Sequence, residues 1–106
     1  MDQVQSAVLE AVAEAAKATN DFLAKHGDRD ACGFAWVSVS EKGSTKMGRA
    51  LLKAGFSKGY GGGLQMWNPS GNHTQAITAK EVGAEAAARV LTARLGVTAY
   101  AGSRLD

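Results

Sequence analysis

Residues 31–39 read Ala-Cys-Gly-Phe-Ala-Trp-Val-Ser-Val, and this stretch decides the fold. Two aromatic residues alternate in it with three aliphatic ones: Phe34 and Trp36 with Ala35, Val37 and Val39. An extended chain with this pattern is apolar on both sides, which is typical of a strand inside a sheet. The stretch therefore predicts a central β-strand, and we expect Trp36 to lie in the core.

Two long amphipathic helices are predicted, one before this strand and one near the end of the chain. The first covers residues 2 to about 26, where apolar side chains recur at three- and four-residue steps. The second runs from residue 78 to about residue 95 with the same kind of spacing. The expected boundary residues are Asp2 and Gly27 for the first helix, and Thr78 with Glu81 and Gly96 for the second.

The chain between these helices is predicted to hold a short helix, a loop and a hairpin. Ser44 is the expected cap of a helix over 45–54, whose outward side carries Lys46, Arg49 and Lys53. A flexible loop over 58–63 follows, then a strand over 64–67, a type I turn over 68–71 and a strand over 73–77. Beyond the second long helix, the pattern predicts a last strand over 97–101 and a polar tail over 102–106.

These elements predict an α/β (α+β) fold built as a two-layer sandwich. A small sheet of about four strands is expected to be packed by the two long helices plus the short one. With 106 residues, 45% of them hydrophobic, the chain fits a single compact domain over 1–106. Small domains bury a modest share of their surface, so we also expect a homo-oligomer.

Cysteine use and the N-terminal sequence restrict the class of protein. Cys32 is the one cysteine, which excludes an internal disulfide and a zinc site built on several thiolates, and which fits a reducing compartment. The chain starts with neither the basic segment nor the apolar run of a signal peptide or membrane span. We therefore expect a cytoplasmic protein with no membrane partner, no metal and no cofactor.

The middle of the chain has a one-sided charge distribution. From Lys42 to Lys80 there are six basic residues and no Asp or Glu, and eight of the thirteen glycines lie between Gly43 and Gly71. Such a segment is suited to a phosphate-bearing partner. The Gly-Lys-Ser/Thr ending of a Walker loop is missing, and the triple glycine leads into a predicted strand instead of a helix.

The leading hypothesis is a non-enzymatic module that binds a nucleotide or another phosphorylated ligand. Lys46, Arg49 and Lys58 would neutralise phosphate, and Tyr60 and Trp67 would stack on a base. Asn72, His73 and Gln75 would form hydrogen bonds with the polar edges of the ligand. Simpler interpretations stay open at this point, with the lysines as a solvated face, Trp67 as a core residue and His73 as a structural one.

Three other functions fit the same residues. Nucleic acid would use the same basic surface, although a formal net charge of +2 is modest for a non-specific DNA-binding protein. A small hydrolase would use His73 as its base, with Ser70, Asn72 or Gln75 as polarising groups. A structural or protein-interaction component of a virion is the third alternative.

Four short stretches carry a resemblance to a known group of proteins. They are residues 31–37, residues 67–75 (Trp-Asn-Pro-Ser-Gly-Asn-His-Thr-Gln), residues 79–81 (Ala-Lys-Glu) and the ending Gly-Ser-Arg-Leu-Asp over 102–106. Over about residues 31–106 the chain resembles a group of small proteins from tailed phages and marine metagenomes, to which no activity, cofactor or catalytic residue is assigned. The resemblance implies a setting, namely a viral accessory protein in the cytoplasm of a bacterial host, and such a setting favours stoichiometric binding over catalysis.

Overall fold

Three helices and four strands form the fold in the computed structural model, which describes residues 2–106, Tyr60 by its backbone alone. The helices are α1 (Gln3–His26), α2 (Lys46–Lys53) and α3 (Ile77–Leu95). The strands are β1 (Gly33–Val39), β2 (Ser57–Lys58), β3 (Leu64–Trp67) and β4 (Ala99–Leu105). A single turn of 3₁₀ helix, Tyr60–Gly62, connects β2 to β3.

The strands form one antiparallel sheet in the order β2-β3-β1-β4. β1 lies between β3 and β4, so the prediction of a central strand is confirmed. From β1 onward the chain has the β-α-β-β-α-β connectivity of the split βαβ motif, with α1 added in front. The predicted α/β fold with about four strands and two long helices is therefore confirmed.

All three helices lie on one side of the sheet. α3 crosses β1 and β4 and runs against α1, while α2 contacts α1 and β3. Alternate residues of β1, from Gly33 to Val39, point toward this helical layer and are buried. The centre of the core consists of five aliphatic side chains that are at most 1% exposed: Val37, Val39, Leu51, Leu64 and Leu91.

The contact between α1 and α3 is unusually close because it is made of small residues. Ala7, Ala11 and Ala15 of α1 are buried. Glycine and alanine also occupy most of the buried positions of α3, which packs against α1. A Cβ at Gly83 would collide with the Thr19 hydroxyl and lie 3.2 Å from the Ala15 carbonyl oxygen. That hydroxyl donates a 2.8 Å hydrogen bond to the Ala79 carbonyl, so the buried polar group is satisfied.

The predicted strand over 73–77 is wrong. Residues 71–75 are irregular, and only an isolated bridge joins Ala76 to Cys32 before α3 begins. The reason is that polar side chains of this loop bond to its own backbone: the Asn72 side chain accepts from the Thr74 amide and the Asn68 side chain donates to the Asn72 carbonyl. Such local bonds compete with strand pairing. The turn over 68–71 is present, closed by a 2.9 Å bond from the Gly71 amide to the Asn68 carbonyl.

The predicted polar tail over 102–106 is also wrong. β4 continues to Leu105, and Gly102 and Arg104 pair with Trp36 and Phe34 of β1. A central strand has backbone donors and acceptors on both edges, and the C-terminal residues satisfy one of those edges. The predicted flexible loop over 58–63 likewise begins inside a strand, because Lys58 pairs with Leu64.

The helix ends follow the capping residues with two corrections. Asp2 caps α1 through a 2.7 Å bond from the Gln5 amide, and Gly27 and Gly96 end α1 and α3 as expected. α2 is capped by Thr45 instead of Ser44, through the Gly48 amide.

The second correction is at the start of α3. It begins at Ile77 behind Ala76, which offers no side-chain cap. Asp30, from the turn before β1, accepts the Thr78 amide instead, at 2.9 Å. Hydrogen bonds from the Thr78 side chain and amide and from the Ala31 amide hold the pKa of Asp30 below its ordinary value.

Across residues 2–106, no helix is both long enough and apolar enough to cross a bilayer.

Candidate functional site

In the described residues 2–106, one face of the sheet has none of the three helices over it. Residues that pair directly across an antiparallel ladder project to the same side, so the register assigns each side chain to a face. Trp36 pairs with Trp67 and Gly102, while Ser38 pairs with Gln65 and Tyr100. We call this side the open face; it comprises Phe34, Trp36, Ser38, Ser57, Gln65, Trp67, Tyr100, Gly102 and Arg104.

Three aromatic rings form a cluster at one end of the open face. The centroids of Trp36 and Trp67 are 4.8 Å apart, and Phe34 meets Trp67 edge-on at 6.1 Å. Trp67 is 46% exposed and Phe34 is 37% exposed. A Cβ on Gly102 would lie within 2.8 Å of three atoms of the Trp36 indole, so glycine at this position makes room for the ring.

Two cations lie beside this aromatic cluster. The guanidinium carbon of Arg104 is 5.6 Å from the Phe34 centroid and 6.0 Å from the Trp67 centroid, which is the range of cation–π contact. The ammonium of Lys80 is 5.6 Å from the Phe34 centroid and donates a 2.9 Å hydrogen bond to the Gly33 carbonyl. None of the nine residues of the open face is acidic; the nearest carboxylate along β4 is that of Asp106, whose amide bonds to the Cys32 carbonyl beyond the Phe34–Arg104 pair.

A cleft of about 650 Å³ opens at the other end of the same face. The open face contributes Ser38, Gln65 and Tyr100 to its walls, and the glycine loop over 61–63 contributes the rim. Gly61 and Gly62 have φ values of 81° and 89°, which explains why glycine occupies both positions. A volume of this size is within the range of small-molecule sites.

Two charged residues also line the cleft. Lys42 is exposed there and supplies a cation. Glu41 supplies a carboxylate, but that carboxylate accepts a 2.6 Å hydrogen bond from the Thr45 hydroxyl at the start of α2. The glycine-rich segment singled out in the sequence therefore does form part of a cleft, and Lys42 is the cation among the lining residues.

The basic residues predicted to bind phosphate lie away from the open face. Lys46 and Arg49 are exposed on α2, where Lys46 sits beside Gln3 and Val4 at the start of α1. Arg49 donates to the Ser44 carbonyl across the first turn of α2. Lys58 is exposed on β2, at the edge of the sheet.

The polar residues predicted to read a ligand lie at the opposite end of the molecule. Asn72 donates a 3.0 Å hydrogen bond to Asn20 near the end of α1. Sixteen residues of helix separate Asn20 from Val4, which corresponds to about 24 Å. His73 and Gln75 are exposed on the same loop as Asn72. The structure therefore does not bring the basic helix and the polar loop together.

Two of the three groups proposed to assist His73 in a hydrolase, Ser70 and Asn72, hydrogen-bond within the loop or to α1, whereas Gln75 is exposed. Ser70 is buried, donates to the Asn68 side chain and accepts from the Asn72 amide.

Among residues 2–106, no group of three or more His, Cys, Asp or Glu side chains is placed to hold a metal ion.

The two tryptophans, Trp36 and Trp67, both lie on the open face of the sheet. The core placement of Trp36 is wrong, because its ring lies on the open face and is only half-buried. Trp67, predicted to stack on a base, is exposed on that face. The side chain of Tyr60 is outside the part of the chain that the structure describes.

Sequence reasoning missed Phe34, Tyr100 and Arg104. A signal for the first was present, since the large rings of β1 alternate with smaller residues and so must share one face. The other two were hidden because residues 102–106 were expected to be a tail, which concealed the alternation of Tyr100, Gly102 and Arg104.

Comparison with protein-family models gave no match, and neither curated proteins nor solved structures gave one.

Proposed function

We propose that the protein is a non-enzymatic binding module that holds nucleotide units on the open face of its sheet. The observation that carries this proposal is the exposed aromatic cluster of Phe34, Trp36 and Trp67 with Arg104 beside it. A nucleotide combines a flat π-system with an anion, and these are the two groups that exposed rings and a guanidinium bind best.

Stacking of a base on Trp67 is the central contact of this proposal. Stacking on an aromatic side chain contributes about 1–3 kcal/mol per base and does not depend on which base is present. Nearly half of Trp67 is accessible while its neighbour Trp36 supports it from the side. The ring is therefore held in place before a ligand arrives, which lowers the entropic cost of binding.

The residue that we propose for phosphate binding differs from those that the sequence suggested. Arg104 is on the open face, whereas Lys46 and Arg49 are on α2 behind it. We assign the phosphate to Arg104 because a guanidinium can bind two phosphate oxygens at once. The phage-like setting, in the cytoplasm of a bacterial host, is the background in which such a module would sequester or carry a nucleotide ligand.

Intrinsic fluorescence tests this proposal directly, since both tryptophans of the chain lie on the open face. Titration with mononucleotides at low salt should quench their emission. Trp67→Leu should weaken binding by roughly tenfold, as expected for one lost stacking contact. The control is Lys46→Gln with Arg49→Gln, which should bind as the unchanged chain does. Loss of binding in that control, with retention in Trp67→Leu, would place the site on α2.

Self-association is the second candidate for this surface, because exposed apolar rings also suit a protein partner. A symmetric dimer would use the same face from both copies. Light scattering over a range of concentrations separates the candidates: a dimer that dissociates on Trp67→Leu would favour self-association, and a monomer that binds nucleotide would favour the first proposal.

A further inference from the structure

We infer that the ligand is a single-stranded nucleic acid that crosses the open face from the aromatic cluster to the glycine-lined cleft, so that the cleft is a second nucleotide subsite. This inference rests on the proposed function and adds to it the ligand class and a second binding position. The observation behind it is that the cluster and the cleft lie on one continuous surface: Trp36 pairs with Gly102, and the next residues on the same side, Ser38 and Tyr100, line the cleft.

The spacing of the exposed rings requires more than one base. Tyr100 is two residues along β4 from the position opposite Trp36 and Trp67, a distance of about 7 Å along the strand. Crossing from β3 through β1 to β4 adds two strand spacings, or about 10 Å. The resulting separation of about 12 Å exceeds what one base covers. Trp67 and Tyr100 are therefore platforms for two different nucleotides.

The cleft offers the chemistry of a nucleotide subsite. Tyr100 is 54% exposed at its wall and presents a ring for stacking. Ser38 and Gln65 provide hydroxyl and amide groups for base edges, and the backbone of the loop over 61–63 approaches without side chains. Lys42, which follows the end of β1, supplies a cation for a phosphate at the cleft itself.

A polymer fits this surface better than a second copy of the chain. Two open faces brought together by a twofold axis would place two copies of Arg104 and Lys42 on one interface, with only Glu41 in the cleft and Asp106 beyond Arg104 as carboxylates to balance them. They would also leave the cleft of about 650 Å³ unfilled. A nucleic acid strand has the opposite charge and flat groups at regular intervals, so it satisfies both regions.

A length series tests the inference. Fluorescently labelled oligothymidylates and oligouridylates, from the mononucleotide to about eight nucleotides, would be titrated by anisotropy at low and moderate salt. Affinity should rise by at least roughly tenfold once the oligomer spans both platforms, and the salt dependence should become steeper at the same length. Comparison of the oligothymidylate and oligouridylate affinities shows whether the surface prefers DNA or RNA.

Two cleft variants separate this inference from the proposed function. Tyr100→Ala and Lys42→Gln should each lower octamer affinity, the first by roughly tenfold, while mononucleotide affinity stays unchanged. Trp67→Leu should lower both, and Lys53→Gln on α2 should lower neither; circular dichroism confirms that each variant is folded. Mononucleotide binding with no gain in affinity with length, or a Tyr100→Ala octamer affinity equal to that of the unchanged chain, overturns this inference alone. Failure of every nucleotide to bind overturns the proposed function as well.

Discussion

The two faces of the sheet use opposite kinds of side chain. Against the helices, the central strand places Gly33, Ala35, Val37 and Val39, and the α1–α3 contact is lined largely by alanine and glycine. On the open face the same strand places Phe34 and Trp36, joined by Trp67 from β3. Large rings are normally the main contribution to a core, and here the core is built largely without them. This difference supports the proposal that the rings bind a ligand.

Leaving Trp67 exposed lowers the free energy of unfolding below what burial of the ring would give. Trp67 keeps 46% of its surface in water, and complete burial of that area would contribute on the order of 2–3 kcal/mol. A ligand that covers the ring would gain that free energy instead. We therefore expect the covered face to determine stability and, under the proposed function, the open face to determine binding.

The largest effect is expected from truncation on the covered face. Leu91 of α3 is 1% exposed, and Leu91→Ala should lower the free energy of unfolding by about 3 kcal/mol through lost burial and a residual cavity. Leu105→Ala is the matched control, because Leu105 is 67% exposed on β4 and should cost less than about 1 kcal/mol. Urea denaturation followed by far-UV circular dichroism gives both values. Equal losses would contradict the assignment of stability to the side chains buried between the sheet and the helices.

A slightly smaller effect is expected from overfilling the contact between the long helices. Gly83→Val should cost about 2 kcal/mol, since the added carbons collide with Thr19 and approach the α1 backbone. Ala93→Val, at an exposed position of the same helix, controls for helix propensity and should cost less than about 1 kcal/mol. Thermal unfolding of the two variants compares them. If both melt at the same temperature, the close approach of α1 and α3 is not required for stability.

Trp67→Leu should have a still smaller effect on stability. The variant loses an aromatic pair with Trp36 and part of one with Phe34, so we expect a loss of about 1 kcal/mol in urea. A loss as large as that of Leu91→Ala would mean that the aromatic cluster is a second core, and would remove the contrast between the faces.

The smallest effect concerns the turn that joins the two layers. Because the folded state lowers the pKa of Asp30, its contribution to stability is present above the unfolded pKa of about 3.9 and is lost as pH falls through the folded value. Urea midpoints measured from neutral pH down to about pH 3 should therefore fall more steeply in the unchanged chain than in Asp30→Asn. Identical slopes would show that this cap of α3 contributes nothing.

Much of the covered layer could be predicted from the sequence. The central strand was visible in its alternating apolar residues, and Gly27 and Gly96 marked the helix ends, because these signals are local. The loop over 71–75 could not be recognised, since Asn72 and Thr74 satisfy backbone groups of the loop and leave no strand to pair. The prediction ended β4 at residue 101 because the residues that follow are mostly polar. Their strand conformation depends on pairing with β1, which the local sequence does not reveal.

The candidate site was harder to predict because it depends on register. Trp67 was identified as a stacking residue, but its neighbours come from β1 and β4, which are distant in sequence. Arg104 could be joined to it only after the pairing of Phe34 with Arg104 was known. The cationic side of α2 was visible in the sequence, yet nothing local showed that it lies away from the aromatic rings.

Mapping of a bound oligonucleotide by NMR tests the central claim most directly. Addition of a short oligothymidylate or oligouridylate to the ¹⁵N-labelled chain should shift both indole N–H signals, of Trp36 and Trp67, and the amides of Tyr100 and Arg104, while the α2 amides stay in place. Shifts confined to α2 around Lys46 and Arg49, or no shifts at all, would contradict the assignment of binding to the open face.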